Sequence, residues 1–268
     1  MVFSPFTSHF SRKRCAFTLA EVLITLGIIG VVAALTMPAL IQNHRKQVVE
    51  TSLKKFYSTM NHAIKLSEID NGPVSTWEPK TDGSMNASPE NWYYKYLNKY
   101  LKVIRTDKFK SKYIQGEVLQ IYLADGSLML LSVGSEVWFY PKAKDFNKDS
   151  FIVVDENNNS TVPDNGIKFF TFEFREPRSN GSIIAYADCE GGLLCSYTPV
   201  HNNLPITLEP FLYCYPEYDK NKNRVWHCPA TDEELSQKCN KTASNNYHCT
   251  ALIQMNGWKI PKNYPFKF

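Results

Sequence analysis

The sequence predicts an α+β fold: a long N-terminal α-helix, apolar in its first half and amphipathic in its second, packs on an antiparallel β-sheet, with a disulfide-rich C-terminal region. Three observations carry this reading. Val22 to Ile41 contains no charged residue, and beyond it Val49, Leu53, Phe56, Met60 and Ile64 recur at helical spacing. Short apolar runs separated by turn residues then fill the middle of the chain. Six of the seven cysteines crowd into the last third.

The uncharged run is about 20 residues, enough at ~1.5 Å per residue to cross ~30 Å of hydrocarbon. Arg12, Lys13 and Arg14 precede it, and Glu21 stands at its threshold. A secretory signal peptide is a poor match, because its apolar core is shorter, roughly 7–15 residues, and the exit here, Thr36-Met37-Pro38-Ala39, carries a proline. A plain membrane anchor explains the length and the basic flank. It gives no reason for a carboxylate beside lipid, where such a group is costly and has a partner or a job. As a purely structural residue, Glu21 would satisfy free N–H groups at the helix start.

Ala16-Phe17-Thr18-Leu19-Ala20-Glu21 closely resembles the processing signal of type IV prepilins and type II secretion pseudopilins. The resemblance covers about 50 residues, and counted from Phe17 it places Glu21, Gly30 and Pro38 where that family carries those residue types. It implies a prepilin peptidase that cuts between Ala16 and Phe17 and methylates the new amino terminus. The family usually has glycine before the cut; Ala16 is the smallest replacement, so cleavage is expected, at a lower rate. Glu21 would neutralise the Phe17 amine, within one helix or between subunits, where each charge relieves the burial cost of the other.

The resemblance divides the chain into a leader (1–16), a transmembrane and filament-core helix (17–41), the second half of the helix with a pilin-like head (42–188), and a cysteine-rich part of the head (189–268). Its partners would be other pilin or pseudopilin subunits and the inner-membrane assembly platform. The basic flank keeps the N-terminus cytoplasmic, which places the head in the periplasm of a bacterial cell. Removing the leader lowers the formal charge from +4 to +1. No basic footprint for nucleic acid remains.

The cysteines agree with the cut. Cys15 leaves with the leader; Cys189, Cys195, Cys214, Cys228, Cys239 and Cys249 remain, an even set beyond a membrane helix that reads as disulfides, with 15 connectivities open. His227-Cys228 and His248-Cys249 are metal-capable, but adjacent ligands chelate one ion poorly and no C-x-x-C occurs.

Along the chain, the helix is expected from about Thr18 to Asp70, kinked at Pro38 and ended by Asn71-Gly72-Pro73. Ser88-Pro89-Glu90 reads as a second helix start, followed by Tyr93, Tyr96, Leu97, Tyr100, Leu101 and Ile104 at helical spacing. Strands are expected at Glu117 to Leu123 and Ser127 to Val133 around an Asp125-Gly126 turn. Further strands are expected at Val137 to Tyr140, Phe151 to Val154, Ile167 to Phe174 and Ile183 to Ala187. Thr231-x-x-Glu234 is a capping box for a short helix ending near Cys239, and another short helix covers Cys249 to Met255.

Asp145, Asn147, Asp149 and Glu156 fall at calcium-loop spacing, with Asp155, Asn157 and Asp164 as alternative ligands. Ser150 stands where an EF-hand loop needs glycine, and a solvated Asp/Asn turn is the competing reading. No cofactor is expected, with calcium at these residues the alternative. No nucleophile, zinc-hydrolase or phosphate-loop motif occurs, so no enzyme is expected. The expected function is a pilin-like structural subunit, either a pseudopilin or a minor pilin. The alternative is a single-pass inner-membrane binding protein with a disulfide-stabilised head.

Overall fold

The computed structural model describes residues 18–78, 88–111, 114, 116–134, 136–154, 160–175, 207–211, 215–218, 220, 222, 224–227, 229, 231–240 and 246–268. The chain divides into two compact units, Met1–His44 and Arg45–Phe268. Helix α1 is Leu19–Asn71 and contains Pro38. Gly72 ends it at φ +79°, a conformation a side chain would resist.

In the second unit the helical stripe is buried: Val49, Leu53, Phe56, Met60 and Ile64 all lie in the main core. They face a six-stranded antiparallel sheet built from β1 (Val103–Lys110), β2 (Glu117–Leu123), β3 (Leu128–Leu131), β4 (Glu136–Tyr140), β7 (Phe170–Arg175) and β8 (Thr207–Pro210), in the order β1-β2-β3-β4-β7-β8. Phe56 stacks on Phe139 at 4.0 Å and meets Phe172 edge-on at 5.1 Å. The opposite face of the sheet is also covered, by Phe151, Val162 and Phe169 against Trp138 and Tyr140. Burial on both faces explains why β3 (LMLL) and most of β4 (EVWFY) are continuous apolar runs without alternation.

Two-residue strands β5 (Val153–Val154) and β6 (Ser160–Thr161) pair apart from this sheet, as do β9 (Tyr215–Tyr218) and β10 (Arg224–His227). The strand expected from Phe151 is thus shorter, because Phe151 is spent on the second core layer. The strand expected from Ile167 begins at Phe170, after a turn closed on Asp164. Ile183 to Ala187 lies outside the described residues.

The second helix is shorter than its aromatic spacing suggests. Helix α2 is Glu90–Tyr96, with Pro89 rather than Ser88 at the cap position. A single 3-10 turn (Asn98–Tyr100) follows, and Leu101 is extended. Ile104 belongs to β1, where Val103 faces Leu123 and Arg105 faces Tyr122. It is the extra residue of a β-bulge and is 69% exposed. Two other features blunt this edge strand: its charged side chains, and Asp107, whose carboxylate accepts the Lys108 N–H at 2.8 Å.

The β2–β3 hairpin closes through Ala124, Asp125 and Gly126, with Gly126 N donating to Leu123 O at 3.0 Å and Gly126 at φ +85°. Among the turn residues only Gly126 takes positive φ, the mark of a three-residue connection rather than a two-residue one. Asp125 accepts from Lys55 of α1 at 2.7 Å and from the Ser127 N–H and hydroxyl at 3.1 and 2.5 Å. Burial pushes its carboxyl up, but these donors outweigh that and hold it below the usual carboxylate range. A depressed folded value stabilises above the unfolded value, ~3.9, and that stability is lost as pH falls through the folded one. Asp125→Asn should therefore lower Tm at pH 6, and the difference from the parent should shrink by pH 3; a pH-independent difference would refute the linkage.

At the other edge, Asn61 of α1 clamps the backbone of β8, donating to Leu208 O at 3.0 Å and accepting from Leu208 N at 2.8 Å. This amide occupies the groups an intruding strand would pair with. Asn61→Ala leaves a buried N–H unpaired and should cost about 2 kcal/mol in urea unfolding of the full chain in detergent.

Candidate assembly site on the N-terminal helix

At its start, α1 is closed by a reciprocal pair. Thr18 Oγ1 accepts the Glu21 N–H at 3.2 Å, while Glu21 Oε2 accepts the Thr18 N–H and hydroxyl, each at 2.8 Å. This capping box uses one carboxylate oxygen; Glu21 Oε1 makes no hydrogen bond among the described residues. Capping the helix and pairing with a cation are therefore compatible roles for one side chain. The Thr18-x-x-Glu21 spacing is a capping signal in its own right, and it was legible in the sequence. Ala16 and Phe17 lie outside the described residues.

Beyond the cap, α1 is long and apolar enough to cross a membrane. Its apolar side chains, Leu23, Ile24, Ile28, Ile29 and Leu35 among them, are exposed all round rather than on one face. Such a surface is stable in lipid or against other helices, not in water. Within it, Thr25 and Thr36 return their hydroxyls to Val22 O and Val32 O, each at 2.9 Å, so neither leaves a donor bare. Pro38 has no N–H to give the Ala34 carbonyl.

In the second unit, Glu50 is 6% exposed. Its Oε2 accepts from Lys259 Nζ at 2.8 Å and its Oε1 from Ile260 N at 2.9 Å, tying the C-terminal segment to α1. Trp258, at φ +64°, lies against Tyr57 at 4.9 Å. No local pattern announces this clasp, because its partners are more than 200 residues apart.

In the cysteine-rich region, helices α3 (Asp232–Lys238) and α4 (Cys249–Met255) are joined by a Cys239–Cys249 disulfide with Cα atoms 4.8 Å apart. The Thr231/Glu234 capping box is formed in both directions. With Cys249 oxidised, its thiolate is unavailable to a metal beside His248. Gly166, at φ +80°, lies against this bond, and its carbonyl accepts from the Tyr264 hydroxyl at 2.6 Å. Burial pushes the Tyr264 phenol well up, keeping it a proton donor. Cys189, Cys195, Cys214 and Cys228 lie outside the described residues.

The calcium-loop residues are partly described. Asp145 ends a 3-10 turn, and Asn147 Oδ1 accepts from Asp149 N at 3.0 Å, forming an Asx turn. Asp155 and Glu156 lie outside the described residues. Among the described residues no group of three or more His, Cys, Asp or Glu gathers to hold a metal.

Comparison with known proteins locates both halves of this arrangement. Residues 11–37 match the prokaryotic N-terminal methylation motif. A 105-residue stretch, 38% of this chain and 72% of the relative, is 29% identical to type II secretion system core protein G of Aeromonas hydrophila. No solved structure matches the chain. Residues 39–193 and 196–268 match a family of unknown function, DUF6613. Behind an exposed apolar helix that opens on Glu21 and carries the methylation motif, with a head built on an antiparallel sheet, the chain belongs to the DUF6613 family and is similar in part to a type II secretion core protein.

Proposed function

We propose that this pilin-like chain is a structural subunit of a pseudopilus or pilus. A prepilin peptidase cuts it between Ala16 and Phe17 and methylates Phe17. Val22 to Ile41 holds it in the bacterial inner membrane with the head on the periplasmic side. Assembly then moves the apolar helix from lipid into a bundle of like helices, where Glu21 neutralises the Phe17 amine of its own or a neighbouring subunit. The observation that carries this reading is the all-round exposed apolar helix, uncharged from Val22 to Ile41 after a carboxylate at its start, within a methylation motif that spans residues 11–37. Neither catalysis nor a resident metal is part of the proposal.

The test is the mass of the mature N-terminal peptide, from chain made with a prepilin peptidase and from a control without it. The expected result is a start at N-methylated Phe17 in the first sample and an intact leader in the second. A leader retained in both would overturn the reading and leave an anchored binding protein.

A further inference from the structure

Within the second unit, the side of α1 turned away from the sheet has a one-sided charge pattern. Thr51, Lys54, Ser58, His62, Lys65 and Ile69 recur at spacings of three, four, four, three and four, and all are exposed. From Arg45 to Lys65 the helix holds Arg45, Lys46, Lys54, Lys55 and Lys65 against a single acid, Glu50, which is buried and committed to Lys259 and Ile260. Lys55 is taken by Asp125; Lys54 and Lys65 have no ion-pair partner among the described residues.

The opposite charge is concentrated elsewhere on the same unit. Helix α3 opens with Asp232, Glu233 and Glu234 in succession. Glu234 serves the capping box, and among the described residues Asp232 accepts from the neutral Asn256 amide alone, at 2.6 Å. Asp232 and Glu233 are exposed and carry no ion pair among the described residues. A folded unit with a basic stripe on one element and an acidic turn on another is complementary to itself. Because the two patches differ, the contact is heterologous, the class of contact from which an open helical filament is built when the rotation between copies does not close a ring.

We infer that the α1 stripe around Lys54 and Lys65 of one copy docks on the α3 turn at Asp232 and Glu233 of a second copy. The inference rests on the filament-subunit reading and names the head surfaces that would meet in it. An anionic lipid surface accounts for the pattern less well. Such a surface would match the lysines and leave the exposed carboxylates of Asp232 and Glu233 without a counterpart.

The experiment uses the full chain, made with a prepilin peptidase in membranes, from a mixture of ordinary and nitrogen-15-labelled copies. A carbodiimide joins amines to carboxylates that touch. Mixed-isotope peptide pairs linking Lys54 or Lys65 to Asp232 or Glu233 are expected. Lys54→Glu with Lys65→Glu should lower the amount of chain recovered in filaments roughly tenfold. Adding Asp232→Asn with Glu233→Lys, in which the asparagine keeps the acceptor for Asn256, should restore most of it. Absence of mixed pairs, or a charge reversal that assembles like the parent, overturns the inference while leaving cleavage at Phe17 and the subunit reading standing. An intact leader overturns the subunit reading instead, and the mass of the N-terminal peptide tells the two failures apart.

Discussion

Glu21→Gln should yield a chain that is processed, folded and inserted yet absent from filaments, with assembly reduced roughly 10²–10³-fold. The glutamine keeps an oxygen for the Thr18 N–H and hydroxyl, so the capping box that closes α1 at 2.8 Å survives. What it removes is the charge. An ammonium at Phe17 left unpaired among apolar helices costs ~3–5 kcal/mol, and every 1.4 kcal/mol is tenfold in association. The measurement is the ratio of chain in sheared filaments to chain in membranes, with the N-terminal mass checked in both. Glu21→Ala, run beside it, loses charge and cap together. If the glutamine variant assembles like the parent and only the alanine variant fails, Glu21 is a helix cap and the ion-pair role is wrong.

Gly166→Val should unfold or loosen the C-terminal part of the head at a cost of roughly 4 kcal/mol. Gly166 sits at φ +80°, where a β-branched side chain is strained by ~1–3 kcal/mol. A Cβ there would lie 2.8 Å from Cys249 Cβ, 2.9 Å from Cys249 Sγ and 3.1 Å from the Tyr264 oxygen. Overpacking of that kind adds ~1–3 kcal/mol. The first neighbour is held by the disulfide and the third by its own 2.6 Å bond to Gly166, so neither yields cheaply. Urea unfolding in detergent, read by tryptophan fluorescence, checks the magnitude. Removing the disulfide with Cys239→Ser and Cys249→Ser should cost about 3 kcal/mol through a freer unfolded chain. If the valine variant matches the parent's stability, the close packing at Gly166 is not the constraint described.

Residues with local partners were legible in the sequence. The α1 stripe, the Asp125-Gly126 turn, the Thr231/Glu234 box and Cys249–Met255 each depend on neighbours within about four positions, and each stands where its spacing placed it. The N-terminal helix falls in the same class. An uncharged run of that length behind a basic cluster and before an amphipathic stripe predicts one long helix, half for an apolar surrounding and half for a head, while its pilin-like character came from the resemblance carried by Ala16 to Glu21.

Tertiary structure decided what depends on partners distant in the chain. Tyr93 to Ile104 keeps helical spacing, yet the helix stops at Tyr96, because Val103 to Lys110 gains a ladder along β2 that a solvated helix end does not offer. The bulge at Ile104 and the exposed edge erase the alternation that would have announced a strand. Glu50 reads as one more polar helix residue until Lys259 and Ile260 fold back on it, and Gly166 as a loop glycine until Cys249 and Tyr264 close over it. Spacing encodes which face of an element is apolar, since that is fixed by backbone geometry a few residues long. Which distant groups satisfy a buried charge or fill the space beside a glycine is fixed only when the whole head packs.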